Sequence, residues 1–302
     1  MRALIWCQTL PLLLALGTPT AVWAQSPGNK PSAGVGARLH CLQVALDPAT
    51  GSILRLEYPG PGTVLETTAD QASMVDLAYP IPQFEPLRLA SRFSQDAQIR
   101  TSPTEVVIHW ERLGPSRTAF ALPGHVSATV TLTAAPDGRS IILVCRVENH
   151  SPNAVRQVLF PDLLGLIPLG SAGETEFRSG PVVNKPFVAL AKPDVDQFYA
   201  VNQTFVQFTS TGKEPTMAGR WLDLSGAKGG FSLFPKRSQW DVGPIVMLQF
   251  RERANRLRLM VAHDVNLTAG QRWESDEYWL TPHEGDWAKG RGPFEAWLEN
   301  KR

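Results

Sequence analysis

HVSATVTLTAAPDGRSIILVCRVE, residues 125–148, decides the fold. Val126, Ala128, Val130 and Leu132 alternate with Ser127, Thr129, Thr131 and Thr133. This period of two marks a sheet with one face in a core and the other in water. APDGRS (135–140) supplies turn chemistry, because Pro136 fixes its own φ and Gly138 takes positive φ without steric cost. IILVCRVE then resumes as the partner strand, so the segment reads as a β-hairpin.

Similar runs recur along the chain: LHCLQVAL (39–46), ILRLEY (53–58), MVDLAY (74–79), LRLASRF (87–93), EVVIHWE (105–111), TFVQFTS (204–210), GGFSLFP (229–235), IVMLQF (245–250) and RLRLMVAH (256–263). Gly, Pro and Asp clusters such as DPATGS (47–52) and YPGPGT (58–63) separate them. Strands this frequent, with no long helical pattern before residue 285, predict an all-β sandwich of antiparallel sheets. No repeat of fixed period is visible, which argues against a propeller.

The chain has 302 residues, 43% of them hydrophobic and 19% charged, enough to bury a sizeable core. Its first 24 residues follow a different rule. Arg2 precedes an apolar stretch at residues 12–16, and Val22, Trp23 and Ala24 lead to an expected cut after Ala24, the pattern of a secretory signal. Gln8, Pro11, Gly17 and Pro19 keep the apolar run below the roughly 20 residues of a membrane span. The protein is therefore expected to be exported, to the periplasm or the medium, and not to span a membrane. Residues 25–37, QSPGNKPSAGVGA, read as a flexible linker, 38–284 as the sandwich and 285–302 as a C-terminal helix.

Loss of residues 1–24 removes one of the 29 basic residues and none of the 28 acids, leaving no net charge. A charge-driven partner such as nucleic acid or an anionic membrane surface is not expected. Cys7 leaves with the signal. Cys41 and Cys145 each sit in an apolar run, and both a disulfide and two free thiols are open to them.

The sequence holds no GxSxG elbow, HExxH, CxxC or phosphate-cradling glycine loop, so neither cofactor nor metal is expected and no catalytic residue is assigned. Among six histidines, His263 adjoins Asp264, but neighbours on a strand point to opposite faces. His125 opens a strand and reads as a surface residue. Glu274, Asp276 and Glu277 in RWESDEYWL (272–280) read as solvated acids of one strand, not as a pair facing each other across a bond.

Aromatics are more suggestive. Trp221 and Trp240 lie beside Lys236, Arg237 and Asp241, and exposed indole faces bind sugar rings while neighbouring polar groups bond the hydroxyls. Trp221, Lys236, Arg237, Trp240 and Asp241 are the candidate ligand-binding residues. The alternative places Trp221 in the core and makes PKRSQWD (235–241) a loop capped by its own aromatic. In the final stretch Trp287, Phe294, Trp297 and Leu298 share one helical face, while Gly290, Gly292 and Pro293 interrupt it. The last turns are expected to begin afresh at Pro293, a good first-turn residue.

In order, VALDPATGSILRLEYPG (44–60), CRVENHSPNAVRQVLFPDLLGL (145–166), MAGRWLDLSGAKGGFSLF (217–234) and HEGDWAKGRGPFEAWLENK (283–301) resemble the N-terminal β-sandwich of bacterial glycoside-hydrolase-like proteins. The resemblance runs over residues 39–302. It implies a galactose-mutarotase-like supersandwich, which in such proteins precedes a (β/α)8 barrel that carries the glycosidic acids. No barrel follows in this sequence, and the final helix would lead toward one. Aldose epimerases of this fold use a histidine acid and a glutamate base, and neither role matches a motif here.

The expected function is therefore an exported, carbohydrate-associated module, non-catalytic alone, with a glycan as partner. One alternative is a sugar-active enzyme, epimerase-like or lyase-like, drawing on His125, His263 and Glu277. Another is a structural or interaction domain of the envelope, docking to a barrel or a second chain through Trp287, Phe294 and Trp297.

Overall fold

The computed structural model describes residues 34–79, 87–116, 123–171, 174–179, 183–186, 205–209, 221–237, 245–251 and 256–300. These form two antiparallel sheets. Along its main path, the first runs in spatial order Val35–Leu39, Leu42–Leu46, Ile53–Tyr58, Gly62–Glu66, Val155–Leu166, Arg256–Leu267, Ile245–Arg251 and Phe205–Thr209. The second runs Val183–Pro186, Glu176–Ser179, Leu222–Gly226, Gly229–Pro235, Tyr278–His283, Ile141–Asn149, Val126–Ala134, Glu105–Trp110 and Gln98–Thr101.

The deciding hairpin forms as its pattern requires. Val130 pairs with Cys145 and Leu132 with Leu143, and Gly138 turns at φ 75°. Asp137 Oδ1 accepts from the Arg139 and Ser140 backbone N–H groups at 3.0 and 2.8 Å, closing the turn. Val130, Leu132 and Leu143 are fully buried and pack in one core with Leu46, Leu56 and Leu259 of the first sheet. Each such side chain contributes about 1.5–3 kcal/mol on burial. That shared core holds the two sheets face to face.

Two runs that read as single strands are each broken in two. LHCLQVAL turns at His40–Cys41, where His40 takes φ 52° and its Nε2 lies 2.7 Å from the Ala135 carbonyl. RWESDEYWL breaks at residues 275–277, where the Ser275 hydroxyl accepts from the Cys145 backbone N–H at 3.0 Å, between two strand segments that both pair with Ile141–Asn149. Asp276 is consequently not a solvated acid: it is half-buried and pairs with Arg237. Both cysteines are free, Cys41 at the turn and Cys145 buried, where desolvation pushes its thiol far above the ordinary range.

Charge is also buried in the first sheet. Arg258, 6% exposed, donates to both Asp162 oxygens at 2.6 Å and to Asp76 at 3.3 Å. Burial alone would raise the Asp162 carboxyl, but the charge and hydrogen bonds of Arg258 outweigh it and hold the group below the usual range. This network joins neighbouring strands, and Arg88 and Arg92 extend it by pairing with Asp76 at 2.8 and 3.4 Å.

The helix Trp287–Glu299 does not restart at Pro293 but runs through it. Asp286 caps it, accepting from the Ala288 N–H at 3.1 Å. An interior proline costs roughly 3 kcal/mol through its missing N–H and ring clash. Tertiary packing offsets that penalty, since Phe294 is fully buried and Trp287, Trp297 and Leu298 pack around it.

Candidate functional site

Residues directly opposite each other across a sheet share a face. In the second sheet Arg178 lies opposite Asp223, Asp223 opposite Ser232, and Ser232 opposite Thr281. Farther across, Trp279 is opposite Ile142, and Arg146 is opposite Thr129, which is opposite His109. One continuous outer face thus runs from Arg178 to His109, turned away from the shared core.

The final helix seals the Arg178 end of that face. Phe294 meets Phe234 edge-on at 5.4 Å, and Phe234 stacks on Trp279 at 6.3 Å. Trp221 is fully buried beneath the helix and its Nε1 donates to the Gly290 carbonyl at 3.3 Å. Its indole faces are therefore not offered as a sugar platform, which corrects the expectation from its polar neighbours. The apolar face of a helix placed some 70 residues later decides its role.

Under the same helix lies a buried His–carboxylate pair. His283 Nε2 is 2.8 Å from Asp223 Oδ2, and the two side chains are 2% and 0% exposed. A Cβ on Gly290 would stand 2.3 Å from Asp223 Oδ2 and 2.7 Å from His283 Nε2, so only glycine lets the helix backbone rest there. Asp223 Oδ1 and His283 Nδ1 have no partner among the described residues. The helix backbone at Gly290 roofs the pair on the outer face of the sheet.

At the edge of the helix, Lys236 places its ammonium 3.4 Å from the Trp279 ring centroid, a cation–π contact. Burial lowers the Lys236 pKa, opposed by the charge of Glu277. Glu277 in turn accepts from Trp279 Nε1 at 3.2 Å. Arg237 Nη1 donates to Asp276 at 3.1 Å. Lys236 and Arg237 thus engage Trp279 and Asp276, and Trp240 and Asp241 lie outside the described residues.

The other end of the face is open. His109, Glu111, Thr129, Arg146, Glu148 and His150 border a polar recess of about 250 Å³. His109 Nδ1 lies 2.9 Å from the Thr129 hydroxyl, and its Nε2 lies 3.4 Å from Glu111. His125 approaches the second Glu111 oxygen at 3.4 Å and stacks on His150 with centroids 4.7 Å apart. Glu148 pairs with His150 at 3.6 Å and with Arg272 at 2.9 Å, and Arg146 pairs with Glu274. His125, read from sequence as an isolated surface residue, therefore belongs to a cluster. The legible signal was the period of two, which puts Thr129, Arg146 and Glu148 on the wet face; their neighbours across strands were not legible. Among the described residues no group of three His, Cys, Asp or Glu has the geometry to hold a metal.

His263 and Asp264 part as adjacent strand residues must. Asp264 is exposed, whereas His263 is buried with Nε2 at 3.0 Å from both the Phe160 carbonyl and the Tyr278 hydroxyl. No helix among the described residues is long and apolar enough to cross a membrane.

Neither the family models nor the curated proteins match this sequence. Solved structures do match in fold. A galactose mutarotase related enzyme from Lactobacillus acidophilus is 11% identical at TM-score 0.52, over 84% of this chain and 99% of its own. A galactose mutarotase-like protein from Clostridium acetobutylicum is 7% identical at TM-score 0.55, over 82% and 94%. A family 36 α-galactosidase from Geobacillus stearothermophilus, solved with stachyose, is 8% identical at TM-score 0.51 over 87% of this chain but only 42% of its own. The chain thus folds as a galactose-mutarotase-like β-supersandwich with one helix packed on the outer face of its second sheet.

Proposed function

We propose that this chain is an exported carbohydrate-binding sandwich domain that does no catalysis of its own. The divided outer face supports this reading: the His283–Asp223 pair, suited to proton transfer, lies under a helix, while hydrogen-bonding groups line the open recess. In that recess Glu111 lies beside His109 and His125, and Glu148 beside His150 and Arg272, carboxylates placed to accept sugar hydroxyls. The stacked His125 and His150 rings add a flat surface for the C–H face of a sugar. Structural neighbours named for galactose chemistry make galactosides the first ligands to test.

In affinity electrophoresis the full chain is expected to be retarded by a galactose-bearing polysaccharide, with Glu148→Gln and His150→Ala each weakening retention about tenfold. A wild-type chain that runs freely through every polysaccharide would refute the reading. Polarimetry of fresh α-galactose separates this reading from the enzymatic alternative: the rotation is expected to change no faster than in buffer. A clear acceleration would favour an epimerase.

Export carries its own expected result. Expressed with its full sequence in a Gram-negative host, the protein should be recovered outside the cytoplasm with Gln25 as its first residue by intact mass. Cytoplasmic retention with residues 1–24 still attached would sink that part.

A further inference from the structure

A second concavity lies apart from the open recess. The turn after the strand Ile53–Tyr58, the Arg139 turn, the end of the strand Tyr278–His283 and the first turn of the helix enclose about 490 Å³, within the size range of small-molecule sites. Its walls include Pro59, Pro61 and Pro282, and its charged groups are Arg139, Lys289 and Glu284. Lys289 has no ion-pair partner among the described residues, and Arg139 makes only a 3.9 Å contact with Asp137. The Asp137 carboxylate does not line the cavity and is taken up by the Arg139 N–H, the Ser140 N–H and the Ser140 hydroxyl.

Two further lining residues carry orphaned groups. Tyr58 is 2% exposed and His283 6%, and among the described residues neither the Tyr58 hydroxyl nor His283 Nδ1 has a hydrogen-bond partner. Buried polar atoms left unpaired are costly, and both residues border this cavity.

We propose that this cavity is a binding site for a sugar acid, a monosaccharide-sized ring bearing a carboxylate. The carboxylate is received between Lys289 and Arg139, charge-assisted donors that a neutral sugar would leave unused. Ring C–H groups pack on the three prolines. Ring hydroxyls meet Glu284 at the mouth. The choice of a sugar acid over another small carboxylate rests on the carbohydrate reading above; the choice of an anion rests on the two cations alone.

The test is calorimetric titration of the full chain with D-galacturonate, with D-galactose and acetate as comparisons. Galacturonate is expected to saturate one site, at least tenfold tighter than galactose or acetate, and to weaken as salt is raised. Lys289→Ala and Arg139→Gln, both at exposed positions, should each weaken it about tenfold while leaving the thermal midpoint unchanged. No saturable galacturonate binding, equal binding of galactose, or variants that bind like wild type would overturn the site. Acetate binding as tightly as galacturonate would overturn its sugar part. Polysaccharide retention measured on the same samples keeps the two readings apart: its loss alone counts against the open recess, and loss of galacturonate binding alone counts against this cavity.

Discussion

Phe294→Ala is expected to loosen the final helix from the sheet and lower the stability of the sandwich by about 3–5 kcal/mol, the usual cost of emptying a buried phenylalanine site. Phe294 is fully buried and touches Phe234 and Trp297 at ring-centroid distances of 5.4 and 6.0 Å. The helix has little else to keep it folded. It spans 13 residues and contains Pro293 with Gly290 and Gly292, all poor helix formers, so its stability must come from packing. Chemical denaturation reads the loss, and hydrogen exchange reads where it falls: the amides of residues 287–299 should lose protection first. A change below about 1 kcal/mol with helix protection intact would mean that Trp287, Trp297 and Leu298 hold the helix without it. The same burial bears on docking, because Phe294 cannot meet another chain while the helix is seated. A docking surface on this element would have to use the outer edges of Trp287 and Trp297.

A second large effect is expected from pH. His263 is pushed down to about 4, chiefly by burial, against which its contact with the Phe160 carbonyl works. Unfolded, the same ring titrates near 6.5. Between these values the unfolded chain binds the proton and the folded one does not, so stability rises with pH. The contribution is fully present above about 6.5, falls by about 1.4 kcal/mol per pH unit below it, and levels off below about 4 after a loss of about 3 kcal/mol. Asp162, whose carboxyl is held below its ordinary range, acts in a lower window: its stabilisation is lost only as pH falls through the carboxylate range. Urea denaturation at pH 7 and pH 5 should therefore differ by about 2 kcal/mol more in the wild type than in His263→Gln. Equal pH dependence in the two proteins would show that this ring is not the source.

The strand pattern was legible where the signal is local. In residues 125–148 alternation and turn chemistry both lie within one short window, so the hairpin could be read directly. The break at His40–Cys41 was not legible, because a two-residue turn leaves Leu39 and Leu42 both apolar and the run looks continuous. The helix illustrates the opposite error. Pro293 is a local stop signal, and it was overruled by the apolar surface of the sheet below. Trp221 had local claims both to a sugar platform and to the core, and the helix that buries it, with the Gly290 carbonyl on its Nε1, decided for the core.

Sequence alone determined the all-β class, the hairpins and the wet and dry faces of their strands, because side-chain direction alternates with every residue whatever lies beyond. Tertiary structure decided which distant residues share a site. Arg258 meets Asp76 across 182 residues and His283 meets Asp223 across 60, and no periodicity carries such distances. It also decided which half of the outer face is open, since covering Trp221 and the His283–Asp223 pair required the helix to find Phe234 and Trp279. Burying that aromatic surface outweighed the helix-breaking residues in between, a balance between remote groups that only the packed structure sets.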